Sequence, residues 1–79
     1  MTEIERRVLR FFREHPHAVE TSRGIAAWLG AEEARVDEAL QDLAVRSWLN
    51  AHETFCVKAY SLTRDERLLT RIQESLESA

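Results

Sequence analysis

One cysteine, one proline and two glycines are all that this 79-residue chain has of the residues that cross-link, kink or loosen a backbone. Cys56 has no second cysteine to form an internal disulfide, which fits a reducing compartment. No apolar run approaches the roughly 20 residues that span a bilayer. The N-terminus passes straight into Glu3, Arg6 and Arg7 without the apolar core of a signal peptide, so a cytoplasmic protein without membrane contact is expected. Low-complexity tracts, internal repeats and linkers are also lacking. These absences leave one small domain covering residues 1–79, in a size range where folding buries only about 60% of the unfolded chain's surface. Acids outnumber bases fourteen to eleven, which weakens any nonspecific attraction for nucleic acid and says nothing about fold.

What is present is helical periodicity. Ile4, Val8, Phe11 and Phe12 recur at helical spacing between charged residues, so Thr2 to about His15 reads as an amphipathic helix capped by Thr2 and stopped by Pro16. Residues 17–20 contain Ala18 and Val19 and read as a brief extended segment. Thr21 then caps a second helix, Ser22 to Leu29, with Ile25, Ala26 and Leu29 on one side and Gly30 as the left-handed end. Gly24 inside that helix costs about 1 kcal/mol relative to Ala, and either close packing or drift explains it. A third helix runs from about 32 to 46 on the stripe Val36, Ala39, Leu40 and Leu43.

After Ser47 the pattern becomes β-favouring. Trp48, Leu49, Phe55, Val57 and Tyr60 flank the polar stretch 50–54, which reads as the tip of a β-hairpin. No Asn-Gly or Asp-Gly pair is present, so a loop longer than two residues is expected. Thr63, with Glu66 three residues on, has the spacing of a capping box for a last helix striped by Leu69, Ile72 and Leu76.

This order of helix, short strand, helix, turn, helix, two-stranded hairpin and helix resembles the winged helix-turn-helix domain of bacterial and archaeal transcription regulators of the MarR-like and PadR-like groups. The residues carrying the resemblance are Ile25-Ala26 and Leu29-Gly30, then Val36, Leu40 and Leu43. Ser47-Trp48-Leu49 is similar to the exit into the wing, and Tyr60-Ser61-Leu62-Thr63 to the sequence that closes it. The fold expected is mainly α with a small antiparallel β-hairpin wing.

The resemblance implies a small DNA-binding protein, a transcriptional regulator that reads duplex DNA as a homodimer with the third helix (about 32–46) and the wing (about 48–62). Carried over, the groove-facing positions are Ala34, Arg35, Asp37, Glu38 and Gln41, with Arg35 suited to guanine and Gln41 to adenine. Thr21, Ser22 and Arg23 would face phosphates, as would His52 and Lys58 on the wing.

Charge opposes that assignment. Specific binders often neutralise roughly 6 to 10 phosphates. This surface offers Arg23, Arg35, Arg46 and Lys58 against Glu32, Glu33, Asp37, Glu38 and Asp42. A second expectation therefore stands beside the first: a protein-interaction module whose acidic third helix docks on a basic partner, with Asp37 and Glu38 at its centre.

The remaining residues carry less. Arg6, Arg10 and Arg13 share one side of the first helix and read as a solvated face mixed with Glu3, Glu5 and Glu14. His15, His17 and Cys56 lack a zinc spacing, so no metal or cofactor is expected. Cys56, placed within a strand, reads as a small buried or half-buried apolar residue rather than a redox sensor. Trp48 reads as a core anchor, and Trp28 is either core or a partner contact. Leu69, Ile72 and Leu76 fit either intradomain packing or a dimer contact. No nucleophile or acid–base constellation is visible, so an enzyme is not expected.

Overall fold

Thr2 opens the chain's first helix with a reciprocal cap: its Oγ1 accepts from the Glu5 backbone N–H at 3.2 Å, and Glu5 Oε1 accepts from the Thr2 N–H at 2.8 Å. In the computed structural model, which describes residues 1–78, this helix α1 (Glu3–Glu14) is followed by β1 (Val19–Thr21), α2 (Ser22–Leu29), α3 (Glu33–Val45), β2 (Leu49–Thr54), β3 (Val57–Leu62) and α4 (Glu66–Glu77). The result is a mixed α+β domain of four helices and a three-stranded antiparallel sheet in the order β1-β3-β2. Among the described residues, no helix is long and apolar enough to cross a membrane.

The core forms where the apolar stripes of α1, α2 and α3 converge on one face of the sheet. Val8, Leu9 and Phe12 from α1, Ile25 from α2, and Val36, Leu40 and Leu43 from α3 are completely buried, together with Tyr60 of β3. Leu49 and Leu62 sit opposite each other in the β2–β3 register and close the cluster from the sheet. Burying each such side chain contributes on the order of 2 kcal/mol before chain entropy is subtracted. Because side chains alternate along a strand, Leu49, Ala51 and Glu53 share the core-side face with Leu62, Tyr60 and Lys58. Asn50, His52 and Thr54 point away with Ser61, Ala59 and Val57.

Helix ends show how the elements are tied together. Gly30 takes φ 63° and ends α2, with the Ala31 N–H donating back to the Ala26 carbonyl. Ser47 does the same for α3 at φ 65°, with its own N–H donating to Ala44 and the Trp48 N–H donating to Leu43. Neither α2 nor α4 has a basic residue in its last turn. Two neighbouring arginines of α1 supply what those ends lack. Arg7 donates to the Leu29 carbonyl at the end of α2, and Arg6 Nη1 donates to the carbonyls of Ser75 and Ser78 at the end of α4, each at 3.3 Å.

Several expectations are corrected. The extended segment lies at Val19–Thr21, shifted toward the cap, because strand pairing with Ala59–Ser61 fixes it there. The hairpin loop is Phe55-Cys56, only two residues, and residues 50–54 belong to β2. Polar residues occupy β2 because it is an edge strand exposed on both faces beyond Leu49, not because they form a tip. Cys56 is accordingly exposed at the turn rather than buried. Asp65, not Thr63, caps α4: its Oδ1 accepts from the Arg67 N–H at 2.9 Å, while Thr63 is buried and accepts from the Asp65 N–H. Glu5 leaves the solvated face of α1 and is 4% exposed. Of the two readings of the last stripe, intradomain packing accounts for Ile72 and Leu76, which are buried in the domain's own core, with Leu69 packed against it. Trp48 is half-buried on that core, as read.

The two glycines should respond with opposite signs to alanine. A Cβ at Gly30 meets nothing within 4 Å but must sit at positive φ, so Gly30→Ala should cost about 1 kcal/mol. At Gly24 the nearest obstacle is the flexible Glu20 carboxylate tip at 2.5 Å, so Gly24→Ala should raise stability by up to about 1 kcal/mol in urea unfolding. Tyr60 is fully buried and its hydroxyl has no hydrogen-bond partner among the described residues. Tyr60→Phe should therefore leave the unfolding free energy unchanged or raise it by up to about 1 kcal/mol, and a clear loss would reveal a partner for that hydroxyl.

Candidate interface on the third helix and hairpin

With Val36, Leu40 and Leu43 turned inward, a rotation of about 100° per residue puts Ala34, Glu38, Gln41 and Val45 on the outer side of α3. Val45 is 85% exposed there. The two flanks differ. On the flank toward α2, Ser22 Oγ donates to Asp37 Oδ1 and Gln41 Nε2 donates to Asp37 Oδ2, both at 2.6 Å. On the flank toward α1, Arg35 borders Glu3, Ile4 and Glu32 on one side and Thr2, Glu5 and Asp42 on the other. Arg35 and Gln41, paired in the sequence reading as base readers, thus lie about 120° apart around the helix.

Ser22 is the first residue of α2, and Thr21 before it caps the helix by accepting from the Gly24 N–H at 3.0 Å. The positive end of a helix is an anion site. Here the chain's own carboxylate, Asp37, stands at that end, and both hydroxyls proposed for phosphate contact are engaged. Arg23 alone of that group is exposed and has no bonded partner among the described residues.

The hairpin cations are similarly engaged. Lys58 lies opposite Glu53 in the register, with its Nζ 3.8 Å from Glu53 Oε1, the one ion pair among the described residues. The same Nζ stands 5.7 Å from the centroid of the Tyr60 ring. His52 hydrogen-bonds the Ser61 hydroxyl at 2.7 Å across the outer sheet face. Arg46, just past α3, stacks over Trp48 at 5.9 Å.

Two exposed aromatics complete the surface. Trp28 is 64% exposed and leans on Phe11 and His15, with ring centroids 5.6 and 5.5 Å away, beside a pocket of about 320 Å³ bordered by Arg7 and Arg10. Phe55 at the hairpin tip is fully exposed and holds φ 53°, a conformation that turns usually assign to Gly or Asn. Sequence reasoning missed Phe55, since Thr-Phe-Cys-Val carries no turn residue. It also missed Glu5, although the Thr2–Glu5 spacing is that of a capping box. Among the described residues, no group of three His, Cys, Asp or Glu side chains is placed to hold a metal ion.

No family model, curated protein or solved structure matches this chain.

Asp37 joins α2 to α3 through a partly buried charged hydrogen bond, whereas Glu38 is exposed. Asp37→Ala should lower stability by about 1 kcal/mol and Glu38→Ala should change it by less than about 0.5 kcal/mol, compared by thermal or urea unfolding.

Proposed function

We propose that this chain is a winged helix-turn-helix domain that works as a protein-docking module, presenting the acidic face of α3 to a basic surface on a partner protein. The observation that carries the reading is the Asp37 carboxylate at the start of α2, bridging Ser22 and Gln41. It fills with negative charge the place where a phosphate would have to sit, and it engages two of the donors that DNA would need. Glu38 and Asp42 extend the same charge along the exposed side of the helix. Lys58 is paired with Glu53, while Arg6 and Arg7 close the ends of α4 and α2, so these three cations serve the fold. A basic partner surface gains attraction and register from such a face.

The second reading, a regulator of transcription bound to duplex DNA, draws on one observation. The succession α2, turn, α3 and antiparallel hairpin, with β1 completing the sheet, has the order of DNA readers of this class. On that reading Arg23, Arg46 and Gln41 would hold and read the duplex, and Asp37 and Glu38 would filter against wrong sequences.

Titrating the protein against random duplex and a pool of genomic fragments separates the two. The docking reading expects no retention of duplex even at roughly 50 mM salt, where phosphate attraction is strong. It also expects a charge-swapped protein, Asp37→Lys with Glu38→Lys, to gain duplex affinity. Selective retention of particular fragments by the unaltered protein would overturn it in favour of the regulator.

A further inference from the structure

Between the first turn of α1 and the flank of α3 lies a pocket of about 320 Å³ bordered by Thr2, Ile4, Glu5, Arg35, Glu38 and Asp42. Three of these carry carboxylates and one a cation. Arg35 makes no ion pair among the described residues, and the three carboxylates around the pocket outnumber it. Surface acids at such positions are ordinary, but Glu5 is not a surface residue. It is 4% exposed, and although its Oε1 accepts from the Thr2 N–H, its Oε2 is buried without any hydrogen-bond partner among the described residues. An ionised carboxylate needs donors for both oxygens, and one left unmet is costly in a protein interior.

Resting on the docking reading above, we infer that this pocket seats a cationic side chain, lysine or arginine, projecting from the basic partner. Seating turns the Glu5 carboxyl so that Oε2, closed to solvent as it stands, meets one of the incoming N–H groups, while Glu38 and Asp42, one helical turn apart on α3, hold the charge at the rim. A guanidinium suits this arrangement well, since it presents several donors in a fixed plane and loses less on leaving water than an ammonium does. Seating one anchoring side chain this way also fixes the partner's register along α3, which a flat acidic face cannot do by itself. Gln is the other residue that a capping box accepts at this position, so Glu5→Gln removes the charge while keeping the start of α1 capped.

The test uses the full chain, isotope-labelled, titrated with a short arginine-rich peptide and with the same peptide in which citrulline replaces every arginine. Amide shifts are expected to concentrate at residues 2–5 and 38–42 with the arginine peptide and to be absent with citrulline. Glu5→Gln and the double variant Glu38→Gln, Asp42→Asn should each weaken binding by about tenfold, roughly 1.4 kcal/mol of binding free energy. Glu66→Gln, which makes the same one-unit change in net charge on α4, should weaken it less than twofold. Equal weakening by Glu66→Gln would overturn the pocket by showing attraction to net charge alone. Weakening by Asp37→Asn with no effect of the pocket variants would also overturn it, yet leave docking on α3 standing. Absence of binding to any arginine peptide would remove the docking reading itself.

Discussion

The first helix is the constraint on which the rest of this domain hangs. It buries Val8, Leu9 and Phe12 completely in the one core that all four helices and the sheet share. Its outer flanks then do something that packing alone does not: Arg6 and Arg7, adjacent in sequence and therefore diverging by about 100°, reach the carboxyl ends of two different helices. Those ends, on α2 and α4, carry no basic residue of their own. A helix leaves its last carbonyls unpaired and slightly negative, and a guanidinium answers both deficits. In a chain of this size, with one core and no cross-link, such ties between elements matter more than they would in a larger domain.

That arrangement has an electrostatic consequence. A chain with eleven basic residues against fourteen acidic ones has few cations to spare, and the structure engages several in holding itself together. Asp37 is tied to Ser22 and Gln41, Glu5 is buried behind the cap of α1, and Glu32, Glu33, Glu38 and Asp42 remain exposed on or beside α3. The sign of the exposed surface around the third helix follows chiefly from the acids it carries, Arg35 being the one cation within the helix itself.

Much of the fold was legible because it depends on local rules. Thr2, Thr21 and Gly30 occupy the cap positions that their chemistry suggests, and the inward stripes of α1, α2 and α3 match the spacing of their apolar residues. The misreadings fall where a non-local contact decided. Residues 50–54 look like a loop because they are polar, but pairing with β3 makes them an edge strand whose solvent exposure tolerates them. Asp65 outcompetes Thr63 as the cap of α4 because Thr63 is drawn inward, its backbone N–H bonded to Trp48. For the candidate site, the sequence identified the acidic residues of α3 but not their flanks. That Arg35 turns toward α1 while Asp37 turns toward α2 depends on how the three helices cross, which no spacing within α3 encodes. The bonds from Arg6, Arg7 and Ser22 join residues distant in the chain and left no local signal.

Position along α3 distinguishes acids that serve the helix from acids that do not. Glu32 and Glu33 lie at its amino end, where a carboxylate meets the positive end of the dipole, so their presence needs no function to account for it. Asp42 lies at the beginning of the last turn, where the same dipole opposes a negative charge by on the order of 0.3 kcal/mol for an exposed group, and no basic residue follows it in that turn. Glu38, four residues earlier, adds a like charge at a spacing that is mildly unfavourable in an isolated helix. Neither residue caps, bridges or packs, in contrast to Asp37. These two carboxylates make no hydrogen bond or ion pair among the described residues, and both border the pocket in which the buried Glu5 is missing a donor. On the proposed docking reading, the unmet group at Glu5 directs a cationic partner to the α1 side of α3, away from the Asp37 tie that stabilises the other flank.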